Sequence, residues 1–73
     1  MKQWILIENI GDQFETVLNA ADKESAVNEA KAIWNRLSAH DKKLRNEFYI
    51  VFAEIEDGIV NLDTATESVN LIA

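Results

Sequence analysis

The sequence predicts an α+β domain built on an antiparallel four-stranded sheet of order 2-1-3-4. One long helix packs on one face and a short C-terminal helix follows, giving the order ββαββα. Three observations predict it. Apolar runs at Trp4–Ile7 and Phe48–Ala53 read as inner strands, because apolar residues at consecutive positions need burial on both faces. Val27, Ala30, Trp34 and Leu37 recur at three- and four-residue spacing, with Ala26 and Ile33 widening the stripe, as an amphipathic helix requires. Asp57-Gly58 between apolar segments is a strong short hairpin signal.

Taken in order, Lys2 to Asn9 is the first strand, and Ile10-Gly11-Asp12 is a turn in which Gly11 can take positive φ at little steric cost. Gln13 to Ala20 alternates, with Phe14, Thr16 and Leu18 on one side and Gln13, Glu15, Val17 and Asn19 on the other. The mostly polar second side marks an edge strand, where charge discourages pairing with other chains. Asp22 is suited to N-cap a helix running to about Leu37, with Glu24 favourable in its first turn. Ser38 and Asp41 form a capping arrangement for a short helical turn, Ala39 to Leu44. Glu47 to Ile55 is the third strand.

A type I′ turn at Asp57-Gly58 pairs Ile55 with Val60 and Ala53 with Leu62, and makes Glu54 and Asn61 cross-strand neighbours. Asp63 then caps a final helix carrying Ala65, Val69 and Ile72, although Thr64, Thr66, Ser68, Val69 and Asn70 are weak helix formers and a fifth strand is the alternative.

Strands one and three are expected at the centre of the sheet. The long helix is expected over Tyr49, Val51, Ala53 and Ile55. Phe48, Ile50 and Phe52, with alternate residues of Trp4–Ile7, would then lie on the far face. Each such side chain contributes roughly 1.5–3 kcal/mol when buried, so that face needs a cover. The expected covers are the terminal segment with Val69, Leu71 and Ile72, and a second copy of the chain in a symmetric dimer.

Seventy-three residues suit one domain spanning 1–73, and the absence of cysteine excludes a disulfide scaffold and a thiolate zinc site. No signal h-region or membrane-spanning run is present in the sequence, so a cytoplasmic location is expected. The net charge of −6 argues against non-specific binding to nucleic acid or anionic lipid. Its distribution is uneven. Residues 31–45 hold Lys31, Arg36, Lys42, Lys43 and Arg45 against Asp41 alone, whereas residues 46–73 hold six acids and no base.

The candidate chemistry is sparse. His40 is the only histidine and has no serine, cysteine or second histidine setting to act with, so it reads as a surface residue. Glu54, Glu56, Asp57, Asn61 and Asp63 surround the hairpin, but aligning Gly58 with a calcium-loop glycine puts Ala53 and Ile55 where oxygen ligands are needed. The basic island of Arg36, His40, Lys42, Lys43 and Arg45 complements a helix C-terminus, and is also the place where an anionic partner would bind. No catalytic residue, cofactor or metal is expected. The candidate interaction residues are this island and the apolar Phe48, Ile50 and Phe52.

The run Trp34-Asn35-Arg36-Leu37-Ser38-Ala39-His40-Asp41-Lys42-Lys43, followed by Phe48-Tyr49-Ile50-Val51, resembles a pattern in small uncharacterised proteins of Firmicutes. These are often associated with gut clostridia and mobile elements, and share the outline W-x-x-L-[ST]-x-x-[DE]-K-[KR]. The resemblance implies a strand hairpin, a helix ending in tryptophan and an apolar strand, and it implies no activity. Physical chemistry explains the same residues: Trp34 and Leu37 as core, Ser38 and Asp41 as a cap, the lysines at a helix end.

Two functional classes follow. The first is a non-enzymatic interaction module whose partner is another protein or a second copy of itself, acting through a sheet face, an edge strand or the basic island. The second is an acidic regulator that binds or mimics nucleic acid, of the kind carried by mobile elements or phage.

Overall fold

The computed structural model describes residues 1–72. The chain runs β1 (Lys2–Asn9), β2 (Gln13–Val17), α1 (Lys23–Arg36), α2 (Ala39–Leu44), β3 (Glu47–Glu56), β4 (Ile59–Asn61), a 3₁₀ turn (Leu62–Thr64) and β5 (Glu67–Asn70). It is an α+β fold with an antiparallel sheet in the order β2-β1-β3-β4, and β5 also pairs with β3. The strand order matches the sequence expectation. The two apolar runs lie side by side at its centre, with Trp4 opposite Phe52 and Ile7 opposite Tyr49.

Local chemistry places the helices. The Asp22 carboxylate accepts from the Ser25 amide at 2.7 Å, supplying a partner to a helix N-terminal donor that α1 itself leaves unpaired. The Ser38 hydroxyl accepts from the Asp41 amide at 3.1 Å and starts α2 in the same way. Asp57 and Gly58 both have positive φ, at 52° and 78°, as a type I′ turn demands. Ile55 opposite Val60 and Glu54 opposite Asn61 follow from that turn.

Three expectations are corrected. The Ala53–Leu62 pair does not form, because β4 ends at Asn61. The Asn61 side chain accepts from the Asp63 amide and bends the chain into the 3₁₀ turn. Thr64 then takes over the ladder's role, accepting from the Glu54 amide at 2.8 Å and donating to the Asn61 carbonyl at 2.6 Å.

The C-terminal helix is absent, and Glu67–Asn70 forms the fifth strand instead. Once β4 turns away, the outer edge of β3 from Tyr49 to Phe52 has unpaired backbone groups, and β5 satisfies them. A segment of threonine, serine and valine yields to that demand easily, since its helix propensity is poor.

The third correction inverts the faces of the sheet. Helix α1 packs over Phe48 and Ile50, both fully buried, together with Trp4, Leu6 and Leu18. Ala26 and Ala30, also fully buried, let the helix backbone come close, while Ile33, Trp34 and Leu37 pack against the cluster's border. Trp34 meets Phe48 with ring centroids 4.9 Å apart, and Trp4 meets Phe52 at 5.0 Å. Val69, Leu71 and Ile72 border this same cluster, so the terminal segment covers the helix face rather than the far one. The bulkier of the two apolar faces took the helix, a choice that period-two alternation leaves open because both faces of β3 are apolar.

The far face carries Ile5, Ile7, Val51 and Ala53, each at most 3% exposed. No helix residue belongs to that cluster, and its partly buried border is Tyr49, Ile55 and Val60. The sheet curls into a half-barrel, so neighbouring strands close over these side chains. Twist and curl do the covering that a flat sheet would need a second layer or a second chain to do.

Candidate interaction surface

The basic island is partly consumed by the fold. Arg45 donates from Nη1 to the Asp41 carbonyl at 2.7 Å, and its Nη2 lies 3.7 Å from the Glu8 carboxylate, with both side chains mostly buried. This pair ties the end of α2 to β1. Lys42 sits over the Trp34 ring, 5.5 Å from its centroid. Arg36, His40 and Lys43 remain exposed. The five residues do lie at one end of the helical layer, but two of them are structural.

The apolar candidates separate as well. Phe48 and Ile50 are core residues under α1, and Phe52 is half-buried beside Trp4. They offer no exposed sheet face in the single chain. Among the described residues, no group of three or more His, Asp or Glu is placed to hold a metal ion.

A groove of about 390 Å³ lies on the far face, lined by Asn46, Glu47, Tyr49, Ser68, Asn70 and Ile72. Its strand residues come from β3 and β5, where Tyr49 is opposite Asn70 and Val51 opposite Ser68. Burial raises the Tyr49 pKa, and the nearby Glu47 and Glu15 carboxylates add to the shift by disfavouring a second negative charge. Tyr49 therefore stays a neutral phenol at physiological pH, able to donate a hydrogen bond but not to act as a phenolate base. The groove presents amide, hydroxyl and carboxylate groups in the open, and nothing in it is arranged as a nucleophile with a base.

The most accessible regular element is β2. All five of its residues are exposed, including Phe14 at 50% and Val17 at 48%. Among the described residues it pairs with β1 alone. The Leu18 amide donates to the Trp4 carbonyl at 2.9 Å, and the Ile10 amide to the Asp12 carbonyl at 3.1 Å, so even-numbered residues of this hairpin make the internal bonds. Alternation along an antiparallel ladder then turns the backbone groups of Gln13, Glu15 and Val17 outward. On the opposite border of the sheet, β4 and β5 hold three and four residues and are separated by the 3₁₀ turn. The unbroken free edge is β2.

Two contacts hold this edge in place. The Gly11 amide donates to the Asn9 side chain at 3.0 Å, shaping the β1–β2 turn, where Gly11 has φ 106°. Beyond the strand, the Glu29 carboxylate on α1 accepts from the Asn19 and Ala20 amides at 3.0 and 3.1 Å. The sequence identified β2 as an edge strand, yet Gln13, Glu15 and Val17 were not among the candidate interaction residues. Their signal was the exposed alternation itself, in a strand with charge on one side and an aromatic residue on the other.

Compared with known proteins, the chain matches no family model, no curated protein and no solved structure. The fold and surface define a small antiparallel α+β domain with a half-barrel sheet and one open edge. No helix among the described residues is long and apolar enough to cross a membrane.

Proposed function

We propose that this chain is a non-enzymatic protein-interaction module that engages its partner by strand addition at β2. The observation that carries the reading is the outward-facing backbone of Gln13, Glu15 and Val17 along a fully exposed strand. An extended segment laid along that edge gains main-chain hydrogen bonds, while flanking side chains supply selectivity. Phe14 and Val17 add apolar contact on the two faces. The remaining surfaces support other readings less well, since the basic island is divided by Arg45 and Lys42 and the Tyr49 groove is wide and open.

Capture from a cell lysate with the wild-type chain and with Glu15→Pro, run in parallel, tests the reading. Proline at that position removes an outward donor and no bond to β1. Proteins held by the wild type and lost by the variant support strand addition, provided circular dichroism shows the variant folded. An unchanged retained set on the folded variant removes it.

A further inference from the structure

The charge along the free edge narrows what it accepts. Residues 3–22 contain Glu8, Asp12, Glu15 and Asp22 and no Lys, Arg or His. Arg45, which reaches β1 from α2, is held by Glu8, and Lys23 lies 3.6 Å from Glu67 on β5. On the outer side of β2, Glu15 is in one row with Ile7, Tyr49 and Asn70, and no cation occupies that row. The edge therefore combines unpaired backbone groups with an exposed carboxylate that accepts from the uncharged Gln13 side-chain amide at 3.3 Å and forms no ion pair among the described residues.

A second copy fits this edge poorly. Antiparallel self-pairing that uses all three outward residues sets Gln13 opposite Val17 and Glu15 opposite Glu15, and like charges directly opposite destabilise a ladder. Sliding the register so that Glu15 faces Val17 brings Gln13 opposite Asn19, whose amide already donates to Glu29. Sliding it the other way brings Val17 opposite Gly11, whose amide donates to Asn9. Each self-complementary register loses either charge compatibility or bonds.

From this we infer that β2 accepts an extended cationic segment of a different protein, with Lys or Arg opposite Glu15 and an apolar residue opposite Phe14. The inference rests on the strand-addition reading above. Neighbouring positions of an added strand alternate between faces, so one peptide meets Glu15 on the outer face and Phe14 on the helix face. The partner's signature is a short β-prone stretch in which a basic residue adjoins a β-branched or aromatic one.

The test titrates the isotope-labelled full chain at low salt with acetyl-Thr-Val-Thr-Lys-Val-Thr-amide and with the same peptide carrying Glu in place of Lys, following backbone amides by NMR. The expected result is movement of the Gln13, Glu15 and Val17 amides, with the Lys peptide bound about tenfold more tightly than the Glu peptide. Glu15→Lys, at an exposed position, should reverse that preference. Equal binding of both peptides at β2 overturns the cationic partner and leaves strand addition standing. No response of the β2 amides to either peptide overturns both. Concentration-dependent protection of those amides in the chain alone overturns the inference in favour of a second copy.

Discussion

The Glu29 carboxylate accepts the Asn19 amide through both oxygens, at 3.0 and 3.1 Å, which fastens the middle of α1 to the chain leaving β2. Glu29 also takes the Ala20 amide, so one half-buried side chain satisfies two backbone donors where no ladder or helix can. This contact sets where the free edge ends. Replacing it by alanine, Glu29→Ala, should lower stability by about 1–2 kcal/mol, the lower range for bonds to a charged acceptor because water reaches Asn19. Urea unfolding measures this, and an unchanged midpoint would show the contact to be idle.

Phe48 and Phe14 lie on the same face of the sheet in very different surroundings. Phe48 is fully buried against Trp34, and Phe14 is half exposed on β2. Phe48→Ala should cost about 3–5 kcal/mol, most of the stability a domain of this size possesses, and leave the chain largely unfolded. Phe14→Ala should change stability little while weakening peptide binding at the edge. Thermal melts of the two variants separate them, and similar losses would contradict the placement of the core.

Gly58 has φ 78°, and a Cβ built there would meet no atom within 4 Å. Any penalty for Gly58→Ala is therefore backbone strain rather than crowding, about 1–2 kcal/mol for a left-handed alanine. Gly11→Ala, with φ 106° and equally open space, should also destabilise. A neutral result at Gly58 would mean that the hairpin does not use a type I′ turn.

Tyr49 is the only tyrosine, so its titration is visible without assignment. Burial, then Glu47 and Glu15, raise its pKa above the ordinary tyrosine value of 10.0. The folded chain thus keeps the phenol proton after the unfolded chain has released it. The stability this adds is full below the unfolded value and is lost as pH rises through the folded one. Phenolate absorbance should appear at higher pH in native protein than in urea, and Tyr49→Phe should flatten the alkaline loss of stability. Coincident titration curves would place Tyr49 in open water.

Asp22 gives the opposite slope. Hydrogen bonds from the Ser25 amide and hydroxyl lower its pKa, so its stabilising effect is present above the unfolded value and fades as pH falls through the folded one. Asp22→Asn, which keeps a capping oxygen without the charge, should reduce the acid dependence of the melting temperature while preserving α1. An unaltered acid limb would indicate that other carboxylates dominate it.

Much of the fold was legible because it depends on near neighbours in sequence. Asp22 and Ser38 cap helices through amides three residues away, and Asp57-Gly58 enforces positive φ locally. The apolar runs of β1 and β3 require central positions, and together with the two hairpins and a right-handed crossover through the helix they specify the order 2-1-3-4. Of the interaction residues, sequence patterning found a cationic island but could not see that Arg45 reaches Glu8 across the fold or that Lys42 lies on Trp34.

Tertiary structure alone decided three things. It chose the face bearing Phe48 and Ile50 for the helix, since two apolar faces are equivalent to an alternating pattern and differ only in the bulk presented to Ala26 and Ala30. It drew Glu67–Asn70 into β5, because the open edge of β3 outweighed the weak preferences of that segment. It curled the sheet so that Ile5, Ile7, Val51 and Ala53 are buried without a second layer. Each outcome turns on surface left unpaired elsewhere in the molecule, a quantity that exists only once distant strands have met.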